Sequence, residues 1–142
     1  MKLYVKIALF FVLFIAIGSI LTALILYNKK HIDTSKAKPD FVLAAITLQK
    51  EFEAGETTAS AKYVNKILEI TGIIVSVTPA DSANTNISLK TENEFSSVIC
   101  TFHKLEDLSK LKDGEEITIR GECSGFLMDV LLNNCSVLTK MK

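Results

Sequence analysis

The sequence predicts a mainly β protein: a small closed barrel of five strands with a short helix between strands 3 and 4. An N-terminal helix and a single transmembrane helix precede the barrel. Three observations carry this prediction: the apolar start of the chain, the short alternating apolar segments that follow, and the glycines inside two long segments. After the apolar start, the 142-residue chain retains enough residues for one small domain.

The apolar start is predicted to be an uncleaved membrane anchor, residues 1–28, followed by a tether, 29–39, and the barrel domain, 40–142. Ile7–Tyr27 is an uncharged run of 21 residues. As a helix this run is about 31 Å long, enough to cross a hydrocarbon core of about 30 Å. A cleaved signal peptide is the alternative, but its apolar core is usually ~7–15 residues and ends at a small-residue cleavage site, which the run lacks. A lipid-modified start is unsupported, because no cysteine lies near the end of the run.

Charge is unevenly distributed along the chain. All 16 acidic residues lie from Asp33 onward, whereas Lys2, Lys6, Lys29 and Lys30 belong to the anchor region. The rest of the chain therefore has 12 basic and 16 acidic residues, a net charge of −4. Nucleic-acid binding depends on neutralising phosphates with Lys and Arg, so this balance disfavours nucleic acid as a partner without excluding it. Lysines on both sides of the apolar run leave its membrane orientation open.

A helix is predicted between the tether and the first strand. Asp40, after a proline, is typical of a helix start, and Gly55 of a helix end. The apolar residues between them fall at helical spacing: Phe41, Ala44, Ala45, Leu48 and Phe52. A second short helix is predicted over 57–63. We expect the apolar stripe to cover one open end of the barrel, and a partner-binding face is the alternative.

The segment 62–79 predicts a long first strand whose inward face changes partway along. Leu68 and Ile70 alternate with polar residues before Gly72. After the glycine the apolar set moves by one residue, to Ile73, Val75 and Val77. Because a one-residue shift turns the wrong side chains outward, we predict a bulge or kink at Gly72 that coils the strand around a barrel.

Four further strands and a short helix are predicted from the apolar pattern. The residues that define them are Ile87 and Leu89 for strand 2, Val98, Cys100 and Phe102 for strand 3, Leu105, Leu108 and Leu111 for the helix, 117–123 for strand 4, and 129–138 for strand 5. This order is that of the oligonucleotide/oligosaccharide-binding (OB) barrel. An open α+β sheet is the alternative, but Gly72 and Gly121 in mid-strand favour closure.

Three blocks resemble a known family. Ala59–Gly72, which contains the run K-Y-V-N-K-I-L-E-I-T-G, Val98–Phe102 and Gly121–Cys135 are similar to the tRNA_anti-like family of OB-fold domains. The resemblance covers roughly residues 41–138 and implies the OB fold, often behind a membrane anchor or export signal. It says little about function, because fold does not imply function. Asn65 stands where members tend to have glycine, and asparagine tolerates the left-handed backbone of such a turn.

The candidate ligand-binding surface follows from the way OB domains bind. They use the face of strands 2 and 3 and the loops between strands 1 and 2 and strands 4 and 5. In this sequence that surface comprises Ser88, Lys90, Ser97, Thr101, Phe126 and the loop 80–85. Phe126 is either a stacking platform for a ligand or a cap on the core, and its position in a tight turn favours the cap.

No catalytic site, metal site or cofactor is predicted. A nucleophile needs a positioned base, and His103 is the single candidate in the barrel domain. Cys100, Cys123 and Cys135 lie on different predicted strands. They form one disulfide at most or are buried thiols, and without a CxxC pair a zinc site is disfavoured.

Two functions are therefore weighed. We expect a membrane-tethered, non-catalytic OB-fold module in a bacterial envelope, with its domain on the periplasmic side of the inner membrane. Its ligand would be an envelope protein or a small molecule. The alternative is a barrel facing the cytoplasm that binds single-stranded nucleic acid, with an affinity that falls steeply with salt.

Overall fold

The computed structural model describes residues 2–27, 34–81, 83–103, 108 and 110–141. The chain divides into two compact units, residues 1–31 and 32–142. The first unit contains helix α1, Lys2–Tyr27. Within it, Tyr4–Leu24 has a mean hydropathy of 2.7 over 21 residues and no buried residue, so it is long and apolar enough to cross a membrane.

The second unit is a closed barrel of mixed strands. Its elements are β1 (Phe41–Ala44), α2 (Ala45–Ala54), α3 (Glu56–Tyr63), β2 (Ile67–Pro79), β3 (Asn84–Leu89), β4 (Val98–His103), β5 (Glu116–Phe126) and β6 (Val130–Met141). The strands are ordered β2-β3-β4-β6-β5, and β5 pairs again with β2. Among the described strands of the barrel, only the β4–β6 pair is parallel. The predicted five-stranded OB barrel is confirmed.

Strand β2 closes the barrel because it changes partner along its length. Its first half, 67–73, pairs with β5, and its second half, 74–79, pairs with β3. The inward side chains of all five strands meet the buried faces of α2 and α3 in one core. The coiled first strand that the sequence predicts is therefore present.

The predicted position of the register change in β2 is wrong. Gly72 continues the inward alternation, and the next inward residue is Ile74, which is 1% exposed. The irregularity lies further along, between Ile74 and Ser76. Ile73 and Val75, expected inside, consequently lie on the outer surface, 43% and 51% exposed.

The two mid-strand glycines are required by close packing, since neither has a positive φ. A Cβ on Gly72 would lie 3.0 Å from the Cβ of Ala45. A Cβ on Gly121 would lie 2.5 Å from the Sγ of Cys135, a distance that real Cβ atoms do not tolerate. Gly72 therefore lets the start of α2 approach the barrel wall, and the register change falls at Val75, between Ile74 and Ser76.

The helix predicted from Asp40 begins later, at Ala45. Phe41–Ala44 is strand β1, parallel to the first half of β2. Asp40 does not cap a helix: its carboxylate accepts a hydrogen bond from the Ile67 amide at 2.9 Å, and its own amide donates to the Ile67 carbonyl at 2.7 Å. Because the apolar pattern of this segment suits either structure, its pairing with β2 decides in favour of a strand.

Three further predictions concern Asn65, the cysteines and the short helix between strands 3 and 4. Asn65 has a φ of 61°, the left-handed conformation expected of it. The three cysteines are free and buried, which is the second of the two alternatives for them. The short helix predicted over Leu105–Leu111 lies largely outside the described residues, although Leu108 and Leu111 pack on the core.

Candidate ligand-binding groove

A groove of about 560 Å³ lies on the outer surface of the barrel, where β2 and β3 meet the loop 90–97. Its volume is in the range of about 300–1,000 Å³ that is typical of ligand pockets. Its lining residues, which define the groove, are Val75, Ser76, Ser88, Leu89, Lys90, Thr91, Asn93, Glu94, Phe95, Ser96, Ser97 and Asp129.

The structure brings three of the five predicted site residues into the groove: Ser88, Lys90 and Ser97. Thr101 lies on β4, where its hydroxyl donates to Oδ1 of Asn86 at 2.9 Å. Phe126 also lies outside the groove lining. Its ring stacks on Phe52 with 5.4 Å between centroids, and it packs against the core. Of the two alternatives for Phe126, the structure shows the cap.

The loop 90–97 is held by hydrogen bonds within itself. The Thr91 hydroxyl, which is buried, donates to the Asn93 carbonyl at 2.9 Å and to the Ser96 carbonyl. The side-chain oxygen of Asn93 accepts from the Phe95 amide at 3.0 Å. The amide of Lys90 donates to the Ile73 carbonyl on β2 at 2.8 Å. These bonds fix the loop conformation that presents Phe95.

The same loop is joined to the turn 127–129. The Ser96 hydroxyl donates to the Met128 carbonyl at 2.5 Å. The Ser97 amide and hydroxyl both donate to Oδ1 of Asp129, at 2.6 and 2.8 Å. Ser97, one of the predicted site residues, therefore helps to hold the groove in shape.

Helix α2 supports the loop from the other side. Lys50 forms an ion pair with Glu92 at 2.8 Å, and the side-chain nitrogen of Asn93, Nδ2, donates to the Glu53 carboxylate at 2.6 Å. Because the Lys50–Glu92 pair is exposed, its stabilising contribution is below about 1 kcal/mol. It nevertheless neutralises one of the acidic groups beside the groove.

Exposed apolar side chains border the groove. We call Phe95, Leu127 and Met128 the ridge; they are 84%, 81% and 69% exposed. Val75, at 51%, adds an apolar patch on the strand side. Single exposed apolar residues are ordinary, but several exposed apolar side chains on two segments joined by hydrogen bonds are typical of an interaction site. Phe95 is not among the predicted site residues, although a lone aromatic residue in the polar run T-E-N-E-F-S-S is a detectable signal.

The charge of the groove is slightly acidic. Among the described residues that line it, Lys90 is the only cation, and Glu94 and Asp129 are anions. Arg120, the one arginine, lies elsewhere: it pairs with Glu69 at 2.6 Å and donates to the carbonyls of Ser35 and Ala37. This arginine holds the described end of the predicted tether against the barrel and is committed to that role.

Two other candidate regions are structural. In the loop between β2 and β3, Asp81 accepts hydrogen bonds from the Asn84 side chain and the Ala83 amide, and these bonds lower the pKa of its carboxyl. His103 contacts Oδ1 of Asn134 at 3.0 Å. No group of three or more His, Cys, Asp or Glu side chains among the described residues could hold a metal ion.

One open end of the barrel, which we call the capped end, is covered by an aromatic cluster of Phe41, Phe52, Tyr63 and Phe126. The Tyr63 hydroxyl and the Lys62 ammonium both donate to Glu51 at 2.9 Å. The hydrogen bond from Lys62 is the main reason why the pKa of the Glu51 carboxyl is lowered. Burial raises the pKa of Tyr63. This cluster closes the core and leaves its aromatic rings in contact with one another.

The closed barrel with an outer groove defines the class of this protein, an OB-fold binding module. The chain belongs to the tRNA_anti-like family, whose model matches residues 1–137 and thus includes both α1 and the barrel. No curated protein matches the sequence.

Solved structures share the fold at low sequence identity. A protein from Klebsiella pneumoniae subsp. pneumoniae, described as a candidate nucleic acid-binding lipoprotein, is 18% identical with a TM-score of 0.53. The match covers 68% of this chain and 91% of that one. The Stn1–Ten1 complex of S. pombe matches at 15% identity and TM-score 0.39, over 51% and 57% of the two chains. Asparaginyl-tRNA synthetase from Entamoeba histolytica matches at 10% and 0.46, over 74% and 25%.

Proposed function

We propose that the protein is a membrane-tethered, non-catalytic binding module, displayed on the outer side of a bacterial inner membrane. Helix α1 is the anchor, since its span is long enough and the family match includes it. The similar Klebsiella protein is described as a lipoprotein, but here no cysteine lies near the end of the apolar run, so attachment is through the helix itself.

The observation that carries the binding role is the groove. Its walls are held by hydrogen bonds to the turn 127–129 and to α2, and its rim exposes the ridge to solvent. Phe95 is therefore held in an exposed position before any ligand arrives. A preformed concave site with exposed apolar groups and a few polar ones is what a binding module requires. Ser88, Lys90 and Ser97 are proposed as its polar contacts.

A second candidate is single-stranded nucleic-acid binding by a cytoplasm-facing barrel. Its support is Phe95, an exposed ring that a base could stack on, with Lys90 in the same groove. The described function of the Klebsiella protein is also of this kind. This candidate requires phosphate contacts, and it predicts an affinity that falls steeply as salt is raised.

The two candidates place the barrel on opposite sides of the membrane, so a topology experiment separates them. The full chain, carrying a C-terminal epitope, would be exposed to protease in intact spheroplasts. We expect the barrel to be digested while a cytoplasmic marker protein survives. Protection of the barrel in intact spheroplasts, with digestion after lysis, would overturn the outward display and favour the nucleic-acid candidate.

A further inference from the structure

We infer that the groove binds an extended protein segment that carries a large apolar side chain flanked by Lys or Arg. This inference rests on the proposed binding role and adds the chemistry of the partner. Three features of the groove support it: the apolar ridge, the polar floor and the sign of the charge.

The apolar contribution comes from side chains that are already exposed on a hydrogen-bonded loop. Phe95 is 84% exposed, and the hydrogen bonds of Thr91 and Asn93 hold the backbone of its loop, so little backbone freedom is lost when a partner covers the ring. Val75 lies in the same groove on the strand side. An apolar side chain inserted between Val75 and Phe95 would be covered on both sides, which is the geometry of a binding hot spot.

The floor of the groove can bond to a peptide backbone. Ser76 and Ser88 lie on adjacent strands, directly opposite each other in the β2–β3 pairing, and both line the groove. Hydroxyl groups both donate and accept hydrogen bonds, so they suit the alternating N–H and C=O groups of an extended chain. A segment of protein therefore finds apolar and polar contacts together.

The charge of the groove selects the partner. The groove lining carries one cation, Lys90, and two anions, Glu94 and Asp129, and the chain outside the anchor region has a net charge of −4. A polyanion would meet one cation and two like charges, whereas a cationic segment meets complementary charge. Electrostatic complementarity therefore favours Lys or Arg beside the apolar side chain.

The probe for this inference is a fluorescent nonapeptide with a central Phe and Lys at alternating positions. Binding is measured by fluorescence anisotropy on the full chain in phosphatidylcholine nanodiscs, with empty nanodiscs as the blank. We expect saturable binding of this peptide. A peptide with Ser in place of the Phe, and one with Glu in place of each Lys, are expected to bind at least about tenfold more weakly.

A matched pair of variants locates the site. Val75→Ser in the groove is expected to weaken peptide binding about tenfold. Val42→Ser makes the same chemical change on β1, where Val42 is 67% exposed and outside the groove, and is expected to leave the affinity within about twofold. Equal effects of the two variants would overturn the groove as the site.

Charge reversal at Lys90 separates the two ligand classes by the sign of its effect. Although Lys90 lines the groove and can donate a hydrogen bond there, its charge repels a cationic segment, so Lys90→Glu is expected to raise the affinity for the cationic peptide about two- to fivefold. If the groove binds nucleic acid, the same variant instead weakens binding of a dT12 oligonucleotide, and the wild type prefers that probe to the peptide.

Preference of the wild type for the dT12 oligonucleotide over the peptide contradicts the inference. The absence of saturable peptide binding up to about 1 mM contradicts it as well. Either result is independent of spheroplast topology, so a failure of this inference can be told from a failure of the outward display.

Discussion

Two phenylalanines next to turns end in opposite environments. Phe126, at the end of β5, stacks on Phe52 at the capped end of the barrel. Phe95, in the loop 90–97, is 84% exposed. The difference follows from α2, which brings Phe52 over the capped end but contacts the loop through Lys50 and Glu53, two polar side chains at its surface.

The capped end and the ridge differ in what their apolar side chains can contribute, which is stability at the capped end and binding at the ridge. Apolar area at the capped end is removed from water by folding itself, so it stabilises the fold. Apolar area on the ridge stays in water after folding and can be removed from it only by a partner. Substitutions at the two places are therefore expected to act on different measurements.

The largest expected effect is at the capped end, at Phe52. The ring is 1% exposed and contacts both Tyr63 and Phe126. We expect Phe52→Ala to lower the free energy of unfolding by about 3–5 kcal/mol, measured by urea denaturation. The control is Val42→Ala on the exposed side of β1, with an expected change below about 0.5 kcal/mol. A loss below about 1 kcal/mol for Phe52→Ala would show that the capped end is not a packed core.

A smaller loss is expected in the barrel wall, at Gly121. An alanine Cβ there would overlap the Sγ of Cys135, so Gly121→Ala is expected to lower the free energy of unfolding by about 1–3 kcal/mol. Adding Cys135→Ala removes the sulfur and should restore part of the loss. Gly55→Ala is the matched control, because its nearest neighbour would be 3.8 Å away and its φ of −174° suits any residue. Equal losses for Gly121→Ala and Gly55→Ala would contradict the close approach.

The smallest effect concerns the surface of the capped end and depends on pH. The bonds from Lys62 and Tyr63 hold the pKa of Glu51 below its ordinary value of 4.5. A carboxyl with a lowered pKa in the folded state stabilises the fold above the ordinary pKa, and the contribution is lost as pH falls through the folded pKa. The Glu51 side chain is 38% exposed, so we expect less than about 1 kcal/mol.

Urea denaturation of wild type and Glu51→Gln measures this contribution. The difference between the two free energies of unfolding should be present at about pH 6 and shrink by about pH 3. A difference that grows as the pH falls would have the wrong sign for this contact.

The sequence predicts the barrel well, because its signals are local. Alternation of period two marks each strand, and the inward glycines mark places where neighbouring elements approach closely. Leu68 and Ile70 are inside as expected. The prediction places Ile73 and Val75 on the wrong face of the strand. A mid-strand glycine is a local signal for a bulge and also for close packing, and only the contact with Ala45 shows that Gly72 has the second role.

The candidate site is predicted less well, because it depends on contacts between distant segments. Ser88, Lys90 and Ser97 follow from the general binding surface of the fold, and the structure places them in the groove. Phe95 is missed, because its exposure depends on hydrogen bonds that join the loop to α2 and to the turn 127–129. Strand β1 is missed for a related reason, since its short apolar segment becomes a strand only beside β2.

We infer that one end of the barrel buries its aromatic side chains for stability, whereas the ridge leaves its apolar side chains exposed for a partner. The most direct measurement compares the free energies of unfolding of Phe126→Ser and Phe95→Ser by urea denaturation. We predict a loss of about 2 kcal/mol or more for Phe126→Ser and a change within about 0.5 kcal/mol for Phe95→Ser. Similar losses for the two variants, or a larger loss for Phe95→Ser, would contradict the claim.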